Sequence, residues 1–166
     1  MLTPAQKQII KTWLNANAQQ MNDQEAATAL NAALSPVFYV YRSFVPAKEV
    51  LTNGFNWLLI DNLSVGKARI WTEVRETFGN NQVDGLDFSN LGCRDAINEC
   101  WKGTTAMISQ RNVIYSHGYR AASVVEKLLA TGAGTAPVND GDGSGPAVSG
   151  YEQPLTAQDV ADSYNS

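Results

Sequence analysis

The sequence is short of several things at once, and each shortage removes a class of function. It holds two cysteines and one histidine in 166 residues. Cys93 and Cys100 lie seven residues apart in a segment that reads as helical, which sets their Cα atoms about 10 Å apart, beyond disulfide reach. The one histidine, His117, falls in a different element, so a zinc-type ligand set would need partners the sequence does not place nearby. Both cysteines read as small buried hydrophobes, and no cofactor is expected. Long apolar runs are missing too. The densest, residues 55–60 and 124–130, are less than half of the ~18 residues a membrane span needs, so no membrane is expected as a partner. The opening Met1-Leu2-Thr3-Pro4-Ala5-Gln6 has neither the basic start nor the apolar stretch of a signal peptide, and the expectation is a chain made in the cytoplasm. No Gly-x-x-x-x-Gly-Lys-Ser/Thr loop occurs, and Gly132-x-Gly134 is not followed by a helix that could present its amides to phosphate.

Basic residues are absent from the last fifth of the chain. Residues 1–131 hold all 12 Lys and Arg against eleven acids, whereas 132–166 hold Asp140, Asp142, Glu152, Asp159 and Asp162 with no basic residue. This argues against general nucleic-acid binding through that end and favours a basic partner surface. What remains is a globular composition, 44% hydrophobic and 17% charged, long enough to bury a core without staples.

The periodicity is mainly helical. Thr3-Pro4 opens a helix with Ile9, Ile10, Trp13 and Leu14 on one face, and Asn22 or Asp23 opens a second, with Ala26, Ala27, Leu30, Ala33 and Leu34 inward, running to Ser35-Pro36. Residues 37–41 are branched and aromatic and read as extended. Pro46 seeds a short helix over 47–52 closed by Asn53-Gly54, and 55–60 reads as a helical turn. Ser64 caps a helix with Val65, Ala68, Trp71, Val74 and Phe78 inside. Asp87 or Ser89 caps another with Cys93, Ala96, Ile97, Cys100 and Trp101 inside. Residues 104–118 allow helix or hairpin. A last body helix over about 120–130 buries Ala121, Val124, Val125 and Leu128, with Gly132 as its cap. The fold class expected is therefore mainly α: a compact bundle of about five to six helices over 1–131 with a flexible C-terminal extension. That extension divides into a flexible acidic linker, 132–150, rich in Gly, Ala, Pro, Ser and Asp, and a docking segment, 151–166, in which Thr156-Ala157-Gln158-Asp159 starts a short helix that orders on a partner.

Candidate chemistry is thin. Ser116 and His117 are chain neighbours, which do not point at one another as a nucleophile and base must. Glu73 and Glu76, flanked by Arg69 and Arg75, read as a solvated ion-paired face. Asp140, Asp142 and Ser144 alternate with glycine like the first half of a calcium loop, but Tyr151 stands where the bidentate acid belongs, so an acidic linker is the simpler reading. Trp13, Trp57, Trp71 and Trp101 fall in different elements, as core residues do; Tyr39, Tyr41 and Arg42 come nearest to a base-stacking platform. No catalytic residue is assigned and no enzyme is expected.

Several segments resemble a family of small proteins from the head-to-tail region of tailed-phage genomes. They are Met1-Leu2-Thr3-Pro4-Ala5-Gln6, Ala29-Leu30-Asn31-Ala32, Tyr41-Arg42-Ser43-Phe44-Val45-Pro46, the run from Val125 to Gly132, and Leu155-Thr156-Ala157-Gln158-Asp159-Val160. Residues 53–105 carry no such resemblance. The helical members with flexible termini resemble head-to-tail adaptors, which implies a structural virion protein assembled in the host cytoplasm as a homo-oligomeric ring beneath the portal. Its partners would be the portal and other neck or tail proteins, with passive contact to DNA in a channel. On that reading Tyr151, Leu155, Val160 and Tyr164 are the partner-docking residues, and the body folds without the tail. A capsid decoration or tail protein, and a virion-associated enzyme, are the competing classes.

Overall fold

In the computed structural model the described residues are 1–80, 83–137 and 141–166. Among them the chain forms eight α-helices, one 3-10 helix (Trp57–Asn62) and four short strands. It is mainly α, with more helices than the five to six expected. The helices are α1 (Pro4–Asn17), α2 (Asp23–Asn31), α3 (Ala47–Thr52), α4 (Val65–Thr77), α5 (Leu91–Cys100), α6 (Thr105–Ser116), α7 (Val124–Leu129) and α8 (Ala157–Tyr164). The strands β1 (Tyr39–Tyr41) and β4 (Tyr119–Ala121) make one two-stranded sheet, and β2 (Val45–Pro46) and β3 (Gly85–Leu86) make another.

By contacts the chain divides into two compact units, both discontinuous in sequence. The first is Met1–Val40, Ala121–Thr135 and Ala147–Ser166; the second is Tyr41–Arg120 and Ala136–Pro146. This differs from a 1–131 body followed by a linker and a tail.

The first unit is built on capped, amphipathic helices. Thr3 and Gln6 form a reciprocal capping box at the start of α1, and Asn22 with Glu25 does the same for α2. Each satisfies amide groups that a helix start otherwise leaves without partners. Ile10 and Leu14 of α1, Ala26, Ala27 and Leu30 of α2, and Val125 of α7 form the core together with Leu155 and Val160 from the C-terminal end. The small alanines of α2 let helices approach closely. A satellite cluster of Val40, Ala122 and Ala147 lies in the same unit. The C-terminal region is thus ordered, contrary to the flexible extension expected. Its composition is poor in apolar residues, yet among the described residues Leu155 and Val160 are buried in the unit's main core and Ala147 in the satellite cluster.

Boundaries moved for local reasons. Helix α2 ends at Asn31 instead of Pro36, because Ala33 turns outward to bridge Ser123 in an antiparallel pair. Helix α7 starts at Val124, not at Arg120: Ser123 supplies a capping box with Glu126, while 119–121 is extended in β4. Its cap is Ala130 and not Gly132, since Thr131 pairs with Val148.

The second unit holds an aromatic core. Phe55, Trp71 and Trp101 pack with ring centroids 5.4 to 6.0 Å apart, Trp101 edge-on to both of the others, surrounded by Val74, Ile97, Cys93, Cys100 and Met107. Edge-to-face pairs of this kind add about 0.5–1.5 kcal/mol beyond area burial. Helix α3 runs over 47–52 as the sequence predicts, and α4 and α5 carry the expected inner faces except at their starts. Val65 projects into solvent, and Asn90, not Asp87 or Ser89, caps α5. The ambiguous stretch 104–118 is helical: Thr104 caps α6, whose buried face is Met107, Gln110, Arg111 and Ile114.

Candidate functional site

The four residues marked for docking come together, on the first unit itself. Leu155 and Val160 are buried in its core, while Tyr151 and Tyr164 are half-buried against it. The segment is positioned by hydrogen bonds far apart in sequence. The Asn31 side-chain amide donates to the carbonyl of Leu155 and accepts from its N–H, each at 2.8 Å, replacing a strand partner. Gln6 donates to the Gly150 carbonyl at 2.8 Å, and Lys7 lies 3.5 Å from Asp162. Thr156 and Asp159 then form the capping box that starts α8. All four side chains thus face their own chain, so using them on a partner requires the segment to leave this seat.

The acidic loop is also held, within the second unit. Asp140 lies outside the described residues. Asp142 accepts from the Ser144 N–H at 2.9 Å, and its own carbonyl accepts from Asn98 at 2.9 Å. The hydrogen bonds from Ser144 hold the Asp142 carboxyl below the usual carboxylate range. Tyr41 donates its hydroxyl to the Gly143 carbonyl at 2.8 Å. Gly143 has φ +77°, and a Cβ there would sit 2.1 Å from the Tyr115 ring, so conformation and space both require glycine. Among the described residues no group of three or more His, Cys, Asp or Glu is arranged to hold a metal ion. The cleft beside this loop, lined by Asn112, Tyr115, Ser116 and Tyr119, holds about 50 Å³. That is room for a water or two, against several hundred Å³ for a substrate pocket.

Charged side chains that look chemical in sequence have structural partners. Arg42 makes two hydrogen bonds to the Glu49 carboxylate and one to the His117 carbonyl. The His117 ring lies 3.6 Å from Glu49 through Nδ1 and 3.3 Å from the Asn53 carbonyl through Nε2. Ser116 donates its hydroxyl to the Val113 carbonyl, so Ser116 and His117 are each engaged elsewhere. Tyr41 is buried beneath the Arg94 guanidinium, 4.3 Å from its ring centroid, and offers no stacking face. Arg69 pairs with Glu73, but Arg75 reaches Asp84 and covers Trp71, leaving Glu76 outside the expected network. Burial pushes the Cys93 thiol up to about 12 and the Cys100 thiol up to about 11, and both are free.

Sequence reasoning missed the exposed apolar side chains. Trp57 and Leu58 are 56% and 77% exposed in the second unit, and Val65 is 90% exposed. In the first unit Ile9, Trp13 and Ala16 of α1 with Leu128 of α7 line a shallow apolar groove. The signal for Trp57 and Leu58 is the 3-10 geometry itself: with three residues per turn, the side chains of 57, 58 and 59 point in three directions, and only some of them meet the core. No helix among the described residues is long and apolar enough to cross a membrane. Compared with known proteins, the chain matches no family model, no curated protein and no solved structure.

Proposed function

We propose that this chain is a structural virion protein of a tailed phage, a head-to-tail connector that assembles as a ring and binds the portal and neighbouring neck proteins in the host cytoplasm. The observation that carries the reading is convergence. Four of the five segments that resemble the head-to-tail family, Met1–Gln6, Ala29–Ala32, Val125–Gly132 and Leu155–Val160, lie far apart in sequence yet belong to the first unit. Two of them are joined directly by the Asn31 amide on the Leu155 backbone. Residues 53–105, which show no resemblance, fall in the second unit.

The surface supports an assembly role over chemistry. Exposed Trp57 and Leu58 and the groove on α1 offer apolar contact area, the kind of surface that marks interaction sites. The docking segment, 151–166, packs on its own unit here. It reaches a neighbour by exchange, leaving the α1 and α2 seat of one copy for the same seat on another, which preserves its contacts. The acidic residues of the arm then face basic partner surfaces. Disrupting the gene in a phage genome tests the function. The expected result is filled heads and separate tails that do not join; complete infectious particles would sink the proposal.

A further inference from the structure

Helix α1 carries a second apolar row that its own unit leaves open. Ile10 and Leu14 are fully buried in the first unit's core, whereas Ile9 is 43% exposed, and Ile9, Thr12, Trp13 and Ala16 line the shallow groove with Leu128 of α7. Spacings of three and four residues set these positions in one row along the helix. Helix α1 brings no charge to that row. Its two charged side chains, Lys7 and Lys11, turn instead to the C-terminal segment, the first to Asp162 and the second to the Ser166 carbonyl. From Thr12 to Asn22 there is no charged residue.

We infer that this row is a self-association surface, on which α1 of a second copy packs antiparallel about a two-fold axis passing between Thr12 and Trp13. Two features of α1 select that occupant. The first is size, because the row is large at Ile9 and small at Ala16. Reversing an identical helix about the midpoint sets Ile9 of each copy over Ala16 of the other, with Thr12 and Trp13 meeting across the axis. A parallel copy would oppose Ile9 to Ile9 and Ala16 to Ala16, a collision at one end and a gap at the other. The second feature is charge. Helix α1 has no acid in its first turn and no base in its last, so its own side chains offset neither pole of its dipole. Antiparallel pairing lays each positive N-terminus beside the other copy's negative C-terminus. The helix is about 21 Å long, and one such face falls short of the ~800 Å² per partner of a standard interface, so the dimer is weak and reversible. A two-fold contact closes on itself, so it is separate from any contact that builds a ring, and the inference does not rest on the connector reading.

Sedimentation velocity of the full chain, from low micromolar to about 1 mM, tests it. The expected result is a monomer–dimer equilibrium. Ala16→Glu, at an exposed helical position, sets a charge against Ile9 of the other copy and should weaken the dimer at least about tenfold. Ile9→Lys should weaken it as well. The two substitutions combined in one chain should restore association, because the introduced charges of opposite sign then meet across the pair. They lie seven residues apart on one helix, too far to pair within a copy. A monomer at every concentration overturns the inference, as does a dimer indifferent to both single substitutions, which is the result expected of exchange through the C-terminal segment alone. Loss in both single variants without recovery in the double variant overturns it too, since an antiparallel pair brings positions 9 and 16 together.

Discussion

Val160 sits fully buried on α8, among Ile10, Leu14 and Leu30, in a segment whose composition suggests a solvated tail. Replacing it with alanine removes two methyl groups from that core. Transfer of about 0.8 kcal/mol per methylene-sized group gives roughly 1.6 kcal/mol, and the cavity left behind raises the loss to about 2–3 kcal/mol. Against a total stability of about 5–15 kcal/mol this is large, and for a chain of this size it lowers Tm by about 5–10 °C. Calorimetry on Val160→Ala beside Gln153→Ala, an exposed position in the same segment, measures it. The control should stay within about 1–2 °C of the parent, as surface substitutions do. If both variants melt with the parent protein, the C-terminal segment contributes nothing to the first unit and the packing argument fails.

Other perturbations probe separate parts of the account. Asn31→Leu strands the N–H and C=O of Leu155 and should cost about 2–4 kcal/mol by denaturant unfolding, whereas Asn31→Asp retains the acceptor and should cost less. Gly143→Ala forces a side chain into the left-handed region and against Tyr115, and should destabilise the protein by about 2–4 kcal/mol in the same assay. The hydrogen bond from Arg42 holds the Glu49 carboxyl below its usual range. A depressed carboxylate contributes stability above its unfolded value of about 4.3 that is lost as pH falls through the lower folded value, so Glu49→Gln should flatten the acid limb of a stability–pH curve below about pH 4.3. Cys93 and Cys100 should resist alkylation at pH 8 in the native protein and react on unfolding, read by intact mass, because burial keeps both protonated.

What could be read in advance was local. The caps at Thr3, Asn22, Ser64 and Thr156 and the bounds of α3 depend on neighbours within a few residues, and sequence displays those directly. The order of the C-terminal segment depends on Asn31 meeting Leu155 across 124 residues, which no window contains. Composition averages over 132–166 and hides that Leu155 and Val160 are spaced to fill the first unit's core. Over 104–118 the apolar residues Met107, Ile108, Val113 and Ile114 do not separate helix from hairpin by themselves, and the burial of Gln110 and Arg111 on α6 is set by tertiary packing. The exposed Trp57 is the converse: an aromatic reads as core until the geometry of its helix is known. Of the candidate site, Tyr151, Leu155, Val160 and Tyr164 were expected to meet a partner, whereas they pack against their own unit's core, a surface built from α1, α2 and α7 that is distant in sequence.

The connector reading is tested most directly by imaging intact particles at a resolution that traces helices. The account predicts copies of this chain in a closed ring beneath the portal, with neighbouring copies in contact and α8 seated on an α1 and α2 pair. Copies spread over the capsid or along the tail, or none in the particle, would contradict it.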